Sequence, residues 1–172
     1  DRKIWADSIK QFNMDFSTPG SSVVRDYFET KENGETLKAV VIKFSQIERK
    51  SAKKAHDGFW HGNIRFVVYG CNTVEEVGRI RSRDRYRFRK SNIKYYLEDY
   101  EEIHNEIITT YGASAKDPFV VRLQIDNNNA YKYYRIAVVF GEGSNTASDI
   151  PYPIAVECRA NLYMEGQDDS IF

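Results

Sequence analysis

The chain has 172 residues, which suits one domain with a core large enough to need no disulfide or metal staple. Lysines and arginines number 25 and so do aspartates and glutamates, so the net charge is zero and no whole-molecule field selects for nucleic acid, membrane or acidic partners. Apolar residues at 41% and aromatic residues at 14% argue against disorder, and two cysteines are too few for a disulfide scaffold.

Residues 1–22 read as an N-terminal arm or short helix that packs on the body through Ile4, Trp5, Ile9, Phe12 and Phe16. The start at Asp1 rather than Met reads as processing or trimming. Val23 to Lys31 and Thr36 to Ile47 read as two strands of a hairpin. Asn33-Gly34 is its tight turn, of type I′, because both residues tolerate positive φ. Val40, Ile42 and Phe44 share one face of the second strand, and Ala39 and Val41 the other.

Asn63 to Cys71 is a further strand, with Ile64, Phe66 and Val68 on one side and Val67 and Tyr69 on the other. Gly70 ends it or marks a bulge. Residues 92–111 predict one long amphipathic helix. Its apolar stripe is Ile93, Tyr96, Leu97, Tyr100, Ile103, Ile107, Ile108 and Tyr111, at steps of three and four. Ser91 or Asn92 would cap its start and Gly112 its end.

Three strands follow, Phe119 to Ile125, Tyr131 to Phe140 and Ile154 to Met164. Asp126-Asn127-Asn128-Asn129 reads as a hairpin loop between the first two, and residues 166–172 as a frayed acidic tail. The fold class is β-rich α+β in a single domain 1–172. It is a mostly antiparallel sheet or sandwich of about six to eight strands, within reach of a jelly roll, with the helix laid across it.

Between the second strand group and the helix lies an arginine stripe. Arg79, Arg81, Arg83, Arg85, Arg87 and Arg89 occupy alternate positions. In an extended chain they would line one edge over about 33 Å. With Lys90 and Lys94 the stripe suits phosphates or another polyanion, since guanidinium forks grip phosphate oxygens without reading bases. Tyr86, Tyr95 and Tyr96 are placed to stack on bases. The bland alternative pairs the stripe with Glu98, Asp99, Glu101, Glu102 and Glu106. A third has the arginines of one copy meet the acids of another.

Chemistry-bearing motifs are sparse. His56, His61, Cys71 and Cys158 lack zinc-ligand spacing, and Gly141-Glu142-Gly143 lacks the helix that a dinucleotide loop requires. A single Cys71–Cys158 bridge and two reduced cysteines are both compatible with the sequence. No cofactor is implied, and no apolar run reaches the length of a transmembrane helix.

Three function classes remain. The leading one is a non-enzymatic structural or interaction protein, a self-associating coat- or matrix-type subunit such as a virus builds, using segment 79–90 for protein or polyanion contacts. The second is a nucleic-acid-binding module acting through the same stripe. The third is a hydrolase or nuclease with a dispersed active site. The absence of an Asn-x-Ser/Thr sequon leans toward an intracellular protein, or one in a particle assembled inside cells.

Overall fold

The computed structural model describes residues 3–5, 10–14, 27–49, 58–59, 62–73, 100–110, 117–140 and 155–166. These form β1 (Lys3–Trp5), β2 (Lys10–Met14), β3 (Tyr27–Glu29), β4 (Leu37–Arg49), β5 (Gly58–Phe59), β6 (Gly62–Cys71), β7 (Glu101–Thr110), β8 (Phe119–Gln124), β9 (Tyr133–Phe140) and β10 (Ala155–Met164). One sheet has the order β1-β3-β9-β6-β7. The other runs β2-β10-β4-β5, with β8 also beside β4. All pairings are antiparallel except β1 with β3.

The two sheets enclose one apolar core. Phe28, Ile64, Phe66, Val68, Tyr134, Ile136 and Val138 come from the first sheet. Val40, Ile42, Phe44, Val121, Leu123, Ala160 and Leu162 come from the second. The rings of Phe44 and Phe66 meet across the sandwich with centroids 6.2 Å apart. Each such fully buried side chain contributes about 1.5–3 kcal/mol relative to exposure. The face assignments expected for β4 and β6 are observed: Ala39 and Val41 are buried with Tyr163 on the far face of β4, and Val67 and Tyr69 on the far face of β6. In β8 the alternation is plain, with Val121 and Leu123 buried and Val120, Arg122 and Gln124 exposed.

The arm read as a possible helix supplies strands at 3–5 and 10–14, one to each sheet. The helix expected over 92–111 gives way to a strand over 101–110; positions 92–99 and 111 lie outside the described residues. Ile103, Ile107, Ile108, Thr109 and Thr110 are β-branched, which favours an extended backbone. The helix-like spacing has a specific cause. Val68 pairs with His104 but Tyr69 with Glu102, so Ile103 is an extra residue, a bulge. The bulge lets Ile103 and Ile108 both pack on the core although they stand an odd step of five apart.

Both expected hairpins prove to be arches between sheets. The 30–36 connection leaves β3 in the first sheet and enters β4 in the second, and 125–132 runs from β8 in the second to β9 in the first. The type I′ turn is not formed. Gly34 has φ of 79°, but no residue other than glycine has positive φ among those described. Gly34 N donates to Lys31 O at 2.8 Å, so the central pair is Glu32-Asn33, and Gly34 follows in the left-handed region.

The two arches are sewn together. Glu35 and Tyr131 exchange both backbone hydrogen bonds, Glu35 N to Tyr131 O at 3.1 Å and Tyr131 N to Glu35 O at 3.2 Å. Thr30 N donates to Lys132 O at 2.7 Å, and Thr30 Oγ1 to Tyr131 O at 2.9 Å. The Tyr134 hydroxyl donates to Glu35 O and accepts from Leu37 N at 3.1 Å and Tyr131 N at 3.3 Å. Lys38 Nζ donates to Asn127 O at 2.6 Å. These bonds satisfy the backbone groups at the buried feet of the arches, at Thr30, Leu37 and Tyr131.

Candidate functional site

The side of the first sheet that faces away from the core is unusually aromatic and polar. Strand alternation places Tyr27 and Glu29 of β3, Tyr133, Arg135 and Ala137 of β9, and Val67, Tyr69 and Cys71 of β6 there. Arg135 is only 2% exposed. Its guanidinium lies 5.8 Å from the Tyr27 ring centroid and 5.9 Å from that of Tyr100. Tyr27 meets Tyr133 edge to face at 5.9 Å, and Tyr100 meets Tyr69 at 6.4 Å. Ring faces carry negative potential, so the tyrosines contribute to holding the buried cation. The group is packed like interior, which makes it a rigid support.

That support ends at β7. Among the described residues β7 pairs only with β6 and stands last in the order of its sheet. Its ten residues exceed the common strand length of about five to six. On the outward face a polar chain is fixed: Arg65 Nη1 donates to Asn105 Oδ1 at 2.6 Å, and Asn105 Nδ2 to Glu102 Oε1 at 3.1 Å. Thr109 Oγ1 donates to Asn63 Oδ1 at 2.7 Å. Between Asn105 and Thr109 on that face stands Ile107, 41% exposed. On the opposite face His104 Nε2 lies 3.0 Å from Glu106 Oε1. Among the described residues the result is an exposed isoleucine between hydrogen-bonded polar side chains, on the last strand of the sheet.

Two buried phenols mark the arches. Burial, then the hydrogen bond to Glu101, pushes Tyr131 up to about 12. Burial also raises Tyr134, against the lowering effect of its bonds to the backbone of Tyr131 and Leu37.

Arg79, Arg81, Arg83, Arg85, Arg87, Arg89, Lys90 and Lys94 lie outside the described residues, as do Tyr86, Tyr95 and Tyr96. Of the acids weighed as their partners, Glu101, Glu102 and Glu106 sit on β7, where Glu101 and Glu102 are exposed. Cys71 is a buried thiol whose Sγ reaches Thr73 O at 3.8 Å. His56 and His61 lie outside the described residues. Among the described residues no three His, Cys, Asp or Glu side chains gather as a metal site. No described helix is long and apolar enough to cross a membrane.

Sequence reading missed strand β7 and the Arg135 cluster. The signal for the first was the β-branched content of 103–110; for the second it was the alternation Tyr133, Arg135, Ala137. Comparison of the chain with known protein families gives no match, and comparison with curated proteins gives none either.

Proposed function

We propose that this chain is a self-associating structural or interaction subunit, of the coat or matrix kind, whose contacts are made by strands. The observation that carries this reading is strand β7, the last of its sheet among the described residues. It is long, and it presents Ile107 between hydrogen-bonded polar side chains. A rigid, tyrosine-packed sheet behind it favours a lasting contact, because little order is lost on binding. The arginine-rich segment 79–90 supplies a second, electrostatic contact to protein or polyanion.

The alternation of those arginines also favours a second reading, a nucleic-acid-binding module gripping phosphates. The two separate in one experiment. Light scattering is recorded at low and high salt, with and without a short single-stranded oligonucleotide, on the unsubstituted chain and on Arg85→Glu/Arg87→Glu. A subunit grows in mass without oligonucleotide. A monomer that gains mass only with oligonucleotide, at low salt and not in the double variant, establishes the second reading instead.

A further inference from the structure

We infer that Asn33-Gly34 is a site of spontaneous deamidation that the closed arch holds in check, and that opening of the arch converts the turn in one direction only. The site stands whether or not the chain self-associates.

Asn33-Gly34 is the one Asn-Gly pair in the chain, and Asn33 is exposed. The pair carries its own reaction. The Gly34 nitrogen, once hydroxide removes its proton, attacks the side-chain carbonyl carbon Cγ of Asn33. The N–Cγ bond forms and the Cγ–Nδ2 bond breaks, and the departing nitrogen takes up a proton and leaves as ammonia. Water then opens the cyclic imide at either carbonyl, giving aspartate or isoaspartate. The net change turns an amide and a water into a carboxylate and an ammonium ion, with nothing oxidised or reduced. Glycine favours the attack because no side chain flanks its nitrogen, and asparagine is among the thermally labile residues.

The fold withholds that nitrogen. Gly34 N donates to Lys31 O at 2.8 Å, so its proton is committed across the turn. Attack requires the Asn33–Gly34 peptide to rotate and break this bond. The next residue resists the rotation. Glu35 exchanges both backbone bonds with Tyr131, and its carbonyl accepts from the Tyr134 hydroxyl. Its Oε1 accepts from Lys31 N at 3.2 Å, which braces the turn from its own side. Gly34 itself lies against the second arch, where a Cβ would come within 3.0 Å of the Tyr131 backbone carbon and 3.1 Å of Ala130 O. The peptide turns only when this arch comes away from Tyr131.

Conversion does not reverse on closing. The isoaspartate route runs the main chain through the side chain of residue 33 and adds a methylene ahead of Gly34. The bonds on either side, from Gly34 to Lys31 and between Glu35 and Tyr131, are set for the present chain length. Both products also place a new carboxylate between Glu32 and Glu35, where like charges repel. A converted arch closes less well, and the two sheets that it joins lose part of their tie.

The test incubates the full chain in mildly alkaline buffer, with and without urea, and follows conversion at residue 33 by peptide mass mapping. Three chains are compared. Tyr134→Phe removes the hydroxyl that holds Glu35 O. Ile64→Ala weakens the core opposite Phe140, at the end of β9 away from the arch, with a comparable loss of stability. Circular dichroism checks that each is folded at the start, and Ile64→Val replaces Ile64→Ala if that variant is not. If conversion passes through arch opening, its rate follows the open population, and urea raises it by about tenfold or more in the unsubstituted chain. Tyr134→Phe is expected to convert faster than the unsubstituted chain in buffer and at the same rate in urea. The Ile64 variant is expected to match the unsubstituted chain in both. Equal rates in buffer and in urea would mean that the arch protects nothing. No conversion at residue 33 even in urea would remove the site itself. Acceleration in the Ile64 variant as large as in Tyr134→Phe would place the gate in global unfolding and overturn the role of the arch.

Discussion

The ring of Tyr131 lies against the backbone of Gly70, so closely that a Cβ at position 70 would sit 2.6 Å from its Cγ. Gly70 pairs with Glu101 at the start of β7, and Tyr131 bonds Glu35 in the neighbouring arch. The absent side chain thus lets one ring fasten the arches to β7. Gly70→Ala is expected to cost about 1–3 kcal/mol in urea denaturation, since the ring is boxed in and must shift. Adding Tyr131→Ala should remove most of the clash, so the two changes will not be additive.

Tyr131 also gives the fold an alkaline limit. Its hydroxyl is held neutral by burial and by Glu101, so ionisation is pushed up to about 12. The folded form keeps its proton above the pH at which the unfolded chain loses it. The stabilisation is therefore complete below pH of about 10 and disappears as pH rises toward about 12, a loss of order 2 kcal/mol. Absorbance at the tyrosinate band should show a late-ionising phenol that Tyr131→Phe removes. Stability measured from pH 9 to 12 should fall less steeply in that variant.

Tyr134→Phe removes one oxygen that serves Glu35 O, Leu37 N and Tyr131 N. All three backbone groups lie where the arches leave the sheets. Leaving buried groups unpaired costs about 1–3 kcal/mol each when water cannot reach them. Because Glu35 and Tyr131 keep their backbone bonds, a net loss of about 2–4 kcal/mol is expected by thermal or chemical denaturation. Amide exchange at Leu37 and Tyr131 should accelerate most.

Arg135→Lys keeps the charge but not the plane. A guanidinium can sit over the Tyr27 and Tyr100 rings together; an ammonium is a point charge that holds its water strongly. The substitution should cost about 1–3 kcal/mol. A double-mutant cycle with Tyr27→Leu should return a coupling of about 0.5–1 kcal/mol or more.

How much of this was legible depends on how local the signal was. Strands β4 and β6 were readable because Val40, Ile42, Phe44 and Ile64, Phe66, Val68 alternate without interruption. Strand β7 was misread because the bulge at Ile103 shifts parity and sets Ile103 and Ile108 on the core face five residues apart, while the exposed Ile107 between them completes a helix-like spacing. The turns at Asn33-Gly34 and at 126–129 were placed correctly but assigned to hairpins. A turn signal reports that the chain reverses, and says nothing of which sheet it joins next. The Arg135 cluster was hidden for a related reason. Tyr27, Tyr69 and Tyr100 stand far apart in sequence, and only pairing of β3, β9 and β6 brings them together. The arginine stripe was the clearest chemical signal in the sequence, and it lies outside the described residues.

The most direct test of the central claim is the mass of the purified chain by light scattering across a wide concentration series. A self-associating subunit rises in mass with concentration above the 20.0 kDa of one chain. A mass that stays at one chain throughout, at both low and high salt, would contradict that claim.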